Sequence, residues 1–119
     1  MINKQIIYRY IENEYGITPD FPWLKYPEYA VFRHENNRKW FCLAMTVLRS
    51  KLGLDGEGQV EIINIKCPPE IIGNLRASTG FLPAYHMNKE HWVTILLDGS
   101  VSKDDILYFL NQSYSLTNR

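Results

Sequence analysis

A chain of 119 residues with 13 basic and 13 acidic side chains has a formal net charge of +0, which counts against a dedicated nucleic-acid binder, because such domains are usually basic overall. Hydrophobic residues at 45% and charged residues at 22% argue against disorder and fit a single domain, residues 1–119, able to bury its own core. No apolar run approaches the roughly 20 residues that cross a bilayer.

The apolar positions Ile2, Ile6, Ile7, Tyr10 and Ile11 form a helical stripe, with Asn3 placed to cap its start and Gly16 to stop it after Tyr15. Thr18 to Pro27 contains three prolines and reads as an irregular connection over the surface, pinned by Phe21, Trp23 and Leu24. Tyr29–His34 predicts a strand, Asn36-Asn37 a turn, and Lys39–Leu48 a longer returning strand. A glycine-rich loop, Gly53–Gly58, leads to a third strand at Val60–Lys66. Pro68-Pro69 opens a helix to about Ala77, since proline suits a first helical turn whose N–H groups lack partners anyway. A hairpin over Tyr85–Leu97 follows. Ser102 then caps a last helix to about Ser115, with Asp104 and Asp105 in its first turn and Ile106, Leu107, Phe109 and Leu110 on its apolar face. The order αβββαββα predicts a two-layer α+β domain with helices on one face of an antiparallel sheet.

The start, Met1-Ile2-Asn3-Lys4-Gln5, lacks the cationic head and long apolar stretch of a secretory leader, so a cytoplasmic location and no membrane partner are expected. Cys42 and Cys67 are far apart in sequence, unlike the close pairs of zinc or redox motifs, and read as buried free thiols. His86 and His91 stand five residues apart across a turn without an accompanying carboxylate cluster, which gives no metal site and implies no cofactor. Ser78, Ser100 and Ser102 occupy turn or cap contexts, and Cys42 is flanked by Phe41 and Leu43. Gly53, Gly56 and Gly58 lack the lysine and helix of a phosphate loop. Neither a nucleophile with its base nor an acid–base pair is found, so the chain is expected not to be an enzyme.

Recognition features remain. Arg33, His34, Asn36, Asn37, Arg38, Lys39 and Trp40 surround the first hairpin turn, against Glu35 alone. Lys66, Arg76, Tyr85, His86, Asn88, Lys89, His91 and Trp92 add donors and rings in the second half, against Glu70 and Glu90. Two such tips suit the cations to phosphates and the amides and rings to base edges of double-stranded DNA. Equally, Tyr85, His86, His91 and Trp92 suit a protein or small-ligand partner, and in the plainest case the cations only solubilise exposed turns while Trp40 and Trp92 pack inward.

The segments Pro27–His34, Arg38–Phe41, Asn64–Glu70, Pro83–Trp92 and Leu97–Val101, in that order over nearly the whole chain, resemble the MmcQ/YjbR family. The resemblance implies a compact α+β fold of the CyaY/frataxin-like type, likened to a double-wing DNA-binding arrangement, in a small bacterial cytoplasmic protein. It implies contact residues Arg33, Arg38, Lys39 and Trp40 on one side, and Lys66, Tyr85, His86, Asn88, Lys89, His91 and Trp92 on the other. Iron handling, which that fold also suggests, needs an acidic ridge on the first helix. Here Glu12 and Glu14 are offset by Lys4 and Arg9.

Overall fold

The computed structural model describes residues 1–119. Its elements follow the expected order: α1 (Lys4–Tyr15), β1 (Ala30–Arg33), β2 (Trp40–Leu48), β3 (Gln59–Lys66), α2 (Pro69–Arg76), β4 (Phe81–Pro83), β5 (Trp92–Leu96) and α3 (Lys103–Thr117). All strand pairs are antiparallel, and the sheet order is β1-β2-β3-β5-β4. No helix is long and apolar enough to cross a membrane.

The caps act as their side chains dictate. Asn3 accepts from the Ile6 N–H at 2.9 Å and Gly16 takes the left-handed conformation (φ 68°), while Ser102 accepts from the Asp105 N–H at 3.1 Å. Each cap pairs an otherwise orphaned helix-end group or supplies the turn that stops the helix. A carboxylate from the sheet adds to this, since Glu61 of β3 accepts from the Lys4 N–H at 2.9 Å.

The helices cover one face of the sheet. There Ile7, Ile11, Ile72, Ile106 and Leu110 pack on Phe32, Ala44, Ile63, Ile65, Val93 and Ile95. The opposite face is apolar too, with Val31, Leu43, Met45, Val60, Ile62 and Leu96 buried, but it has no helix over it. Three irregular segments roof it instead: residues 18–29, residues 84–91, and a 3-10 turn at Arg49–Leu52 with the loop that follows.

A β-bulge sorts the aromatic residues between the two faces. Phe32 pairs with Cys42 but Arg33 pairs with Trp40, so Phe41 is the extra residue. It sits beside Cys42 in the helix-side core, and Trp40 is turned onto the open face. The ladder between β2 and β3 ends at Cys42–Ile65, beside the bulge, and Ser113 of α3 bridges the next pair of backbone groups. Its hydroxyl donates to the Phe41 carbonyl at 2.6 Å and accepts from the Lys66 N–H at 2.9 Å.

Besides shifts of one or two residues at element ends, two expectations are corrected. Tyr85 lies outside the hairpin strand, which begins at Phe81, because side chains and not a neighbouring strand take its backbone groups. Of the three residues expected to pin the proline-rich segment, only Trp23 packs on the sheet; Phe21 is 51% exposed and Leu24 fully so. The segment is held at Asp20, which makes a two-way backbone bridge with Val31 and an ion pair with Arg33.

Ser113→Ala leaves the buried Phe41 carbonyl and Lys66 N–H without partners and is expected to cost ~2–4 kcal/mol in denaturant unfolding. His34 is buried between Phe41 and Tyr114 with its Nε2 2.7 Å from Thr117 Oγ1. Burial lowers its pKa, with Lys39 adding to the effect and the Tyr114 carbonyl partly opposing it. The unfolded chain therefore takes up this proton first on acidification. His34 contributes its stability above the ordinary value near ~6.5 and loses it as pH falls from there through the lowered folded value. The unfolding midpoint of the native protein is expected to drop over that window more steeply than that of His34→Gln.

Candidate functional site: an aromatic pocket on the open face

The roof over the open face does not close. Between residues 18–29 and 84–91 it leaves a cavity of about 400 Å³. The floor is Leu43 and Met45 of β2. Trp23, Tyr26, Tyr29 and the bulge-directed Trp40 form one wall, and Tyr85, His86 and Met87 form the other. A second depression of about 510 Å³, between the start of α3 and the 78–81 turn, is more open and evenly mixed in character, so the aromatic cavity is the better-formed site.

The rings are locked against one another. Trp23 stands edge-on to both Trp40 (centroids 5.9 Å) and Tyr29 (6.4 Å), and Tyr26 stacks on Tyr29 at 4.7 Å. Such offset and edge-to-face pairs contribute beyond the area they bury. Burial raises the Tyr29 pKa, and Tyr85, Glu28 and Tyr26 add to the rise. The Tyr29 hydroxyl is therefore protonated at neutral pH and can donate.

Tyr85 is fixed from below by two fully buried polar residues of the open face, Asn64 of β3 and its cross-strand partner Thr94 of β5. Asn64 Nδ2 donates to the Tyr85 carbonyl at 2.8 Å, and the Tyr85 N–H donates to Thr94 Oγ1 at 2.9 Å. Thr94 Oγ1 donates in turn to Asn64 Oδ1. Both backbone groups of Tyr85 are thus tied to the sheet, and its ring is set before any ligand arrives. The next residue, His86, is held in the left-handed region (φ 57°), which is uncommon for a residue with a Cβ.

The residues singled out in the sequence divide into three groups. Tyr85, His86 and Trp40 belong to the pocket. Arg38, Lys39, Lys66 and the half-buried Trp92 lie at one end of the sheet, where the start of β2, the end of β3 and the start of β5 are level, with Asn88 and His91 in the turn leading into β5, while Lys89 of the same loop lines a depression beside Tyr85 and His86. Arg33 and Arg76 leave the set. Arg33 is neutralised by Asp20 at 2.7 Å, the one ion pair in the chain, and Arg76 ends α2 on the helical layer near the start of β4. The amides are engaged as well. Asn37 Nδ2 donates to the carbonyls of Thr117 and Arg119 at the end of α3, and Asn36 Nδ2 reaches Asn118 Oδ1. Asn88 organises its own turn, its Oδ1 accepting from Glu90 and its carbonyl from Trp92.

Sequence reasoning missed Trp23, Tyr26, Tyr29, Leu43, Met45 and Met87 as pocket residues. The available signal was the three-residue spacing of Trp23, Tyr26 and Tyr29 within an otherwise irregular stretch. Cys42 and Cys67 are free and buried, and burial pushes the Cys67 thiol up to about 12 and Cys42 higher still, so both are protonated and unreactive. No three side chains of metal-ligating type converge anywhere in the chain.

Fold and face together define a two-layer α+β domain whose sheet carries helices on one side and a loop-roofed aromatic pocket on the other. The chain belongs to the YjbR family, whose pattern matches residues 13–116. It is 47% identical over 117 residues to the uncharacterised protein YyaQ of Bacillus subtilis, covering 98% of this chain and 99% of that one. A crystal structure of a Pseudomonas syringae protein superposes with a TM-score of 0.95 at 44% identity, over 98% of this chain and 99% of the other. A Deinococcus radiodurans protein of the domain family DUF419 gives 0.76 at 26% identity, over all of this chain and 80% of its own.

Thr94→Val tests the support beneath Tyr85. It leaves Asn64 Oδ1 and the Tyr85 N–H unpaired in a buried site and is expected to cost ~2–4 kcal/mol. Faster hydrogen exchange confined to residues 84–87 is expected with it. Thr94→Ser, which keeps the hydroxyl, should lose only the ~1 kcal/mol of one methyl group.

Proposed function

We propose that the protein is a non-catalytic binding module that takes a small planar ligand into the aromatic pocket of the open face. The observation that carries this reading is the pocket's construction: about 400 Å³, walled by rings, with Tyr85 anchored at both backbone groups. That volume lies within the usual range for small-molecule sites, and apolar walls with few polar groups are their usual composition. His86 is the only ordinarily ionising side chain in the lining besides the tyrosines, and it faces no carboxylate or nucleophile there. This favours binding over acid–base chemistry. The two protonated buried thiols accord with a reducing, cytoplasmic setting.

A second reading, weak binding of double-stranded DNA, draws on the common end of the sheet reached by both hairpin tips. Arg38, Lys39 and Lys66 lie there and Lys89 on the adjoining loop, all without ion-pair partners, while Glu35, Glu70 and Glu90 come from the same segments. Four cations against three carboxylates give little net attraction for a polyanion, and the asparagines of the first tip are already engaged. On this reading Lys89→Ala and Arg38→Ala weaken binding at low salt and flatten its salt slope by about one unit each.

Ligand-observed NMR with naphthalenemethanol as the probe separates the two. The pocket reading predicts a Kd of ~0.1–1 mM, the range expected for a small fused-ring compound. It also predicts at least a tenfold loss in Met87→Trp, whose larger ring fills the mouth, with an unchanged melting temperature. Absence of probe binding, together with salt-dependent DNA binding lost in Lys89→Ala, overturns it.

A further inference from the structure

Beyond the Tyr85–His86 pair lies a second cavity of about 330 Å³, lined by Lys51, Leu52, Leu82, Pro83, Ala84 and Lys89 together with Tyr85 and His86 themselves. The two cavities therefore share one wall, in which the Tyr85 and His86 rings stand edge to face at 4.1 Å. Their chemistry is opposite. The first offers rings, Leu43 and methionine side chains, with no lysine, arginine or carboxylate. The second offers Lys51, Lys89 and the His86 imidazole, and no carboxylate lines it. Neither lysine has an ion-pair partner elsewhere, since Arg33–Asp20 is the one ion pair in the chain.

We infer that the ligand is a planar aromatic compound bearing an anionic oxygen group, a carboxylate or a phosphate monoester, with its ring among the aromatic side chains and its anion at the Tyr85–His86 edge, on the side of Lys51 and Lys89. This deepens the pocket reading above and rests on it. A quaternary ammonium ligand, which an aromatic box alone would accept, is disfavoured by the two lysines at the adjoining cavity. Lys51 comes from the 3-10 turn after β2 and Lys89 from the loop before β5, segments that the sequence holds 38 positions apart and the fold sets around one depression. The left-handed backbone at His86 belongs to the same arrangement. It is a conformation that a residue with a Cβ adopts at some cost, and here it projects the imidazole into the wall common to both cavities.

The test compares three probes that share one ring system: naphthalenemethanol, naphthoate and naphthyl phosphate, titrated by NMR at low and high salt. The native protein is expected to bind both anions roughly tenfold more tightly than the alcohol at low salt, with the preference shrinking as salt rises. In Lys51→Ala/Lys89→Ala the preference is expected to fall to unity while the affinity for the alcohol holds, since both lysines are exposed and leave the fold and the aromatic cavity intact. His86→Gly relieves the left-handed conformation, so a lost preference in that variant, without lost stability, reports the imidazole itself. A greater affinity for the phosphate than for naphthoate assigns the dianionic class, and the reverse assigns the carboxylate. Equal binding of alcohol and anions, unaffected by the lysine substitutions, overturns the anion site and leaves the pocket reading standing. Binding of none of the three overturns both.

Discussion

Strands β2, β3 and β5 are apolar on both faces, and the three helices of the chain bury only one of them. Leaving Val31, Leu43, Met45, Val60, Ile62 and Leu96 in water would forfeit roughly 1.5–3 kcal/mol for each large side chain, so something else must cover them. The remaining residues are loops. Loops carry backbone groups that need partners, and they cannot interlock with a sheet as a helix does. Large rings compensate in part, because one tryptophan or tyrosine covers much surface from a single backbone position. They cover it imperfectly, and the aromatic cavity is the gap that remains.

Fixed polar contacts make that gap a defined shape. The Asn64–Thr94 pair holds Tyr85 by both its N–H and its C=O, and Asp20 holds the opposite loop through Val31 and Arg33. The Phe41 bulge turns Trp40 onto the open face, and Ser113 pairs the Phe41 carbonyl and Lys66 N–H just past the end of the β2–β3 ladder. All of these contacts but the exposed Asp20–Arg33 pair are buried or partly so, where an unpaired group is costly and a paired one is rigid. A ligand entering the cavity meets rings already in place, which lowers the ordering cost of binding. The same economy works against the first hairpin tip as an adaptable nucleic-acid reader, since Arg33, His34, Asn36 and Asn37 are engaged within the fold.

Much of the architecture was legible because local chemistry announced it. Asn3, Gly16 and Ser102 marked helix ends by the groups they could pair or the conformation they could adopt, and the element order came out intact. The site was far less legible. Trp40–Leu48 is so uniformly apolar that sequence cannot say which residue is bulged, and hence which face Trp40 joins. Tyr85 read as a strand residue because the side chains that replace its ladder partners, Asn64 and Thr94, come from other strands. Arg33 read as a free cation because its partner, Asp20, lies 13 positions away in a segment without periodicity. What the sequence did contain was the double-faced apolar pattern of the central strands, which demands two covers where the helices supply one.

On the proposed reading, ligands enter the open face and do not merely touch the sheet's end. The chain has three methionines, of which Met45 and Met87 line the aromatic cavity while Met1 is 86% exposed and serves as an internal control. The most direct measurement follows their methyl signals by NMR as naphthoate, and separately a short DNA duplex at low salt, is added. Naphthoate is expected to shift Met45 and Met87 together and to leave Met1 still, and DNA to move neither cavity methyl. Still cavity methyls with naphthoate, alongside DNA-dependent shifts in the backbone amides of Arg38, Lys39 and Lys89, would contradict that reading.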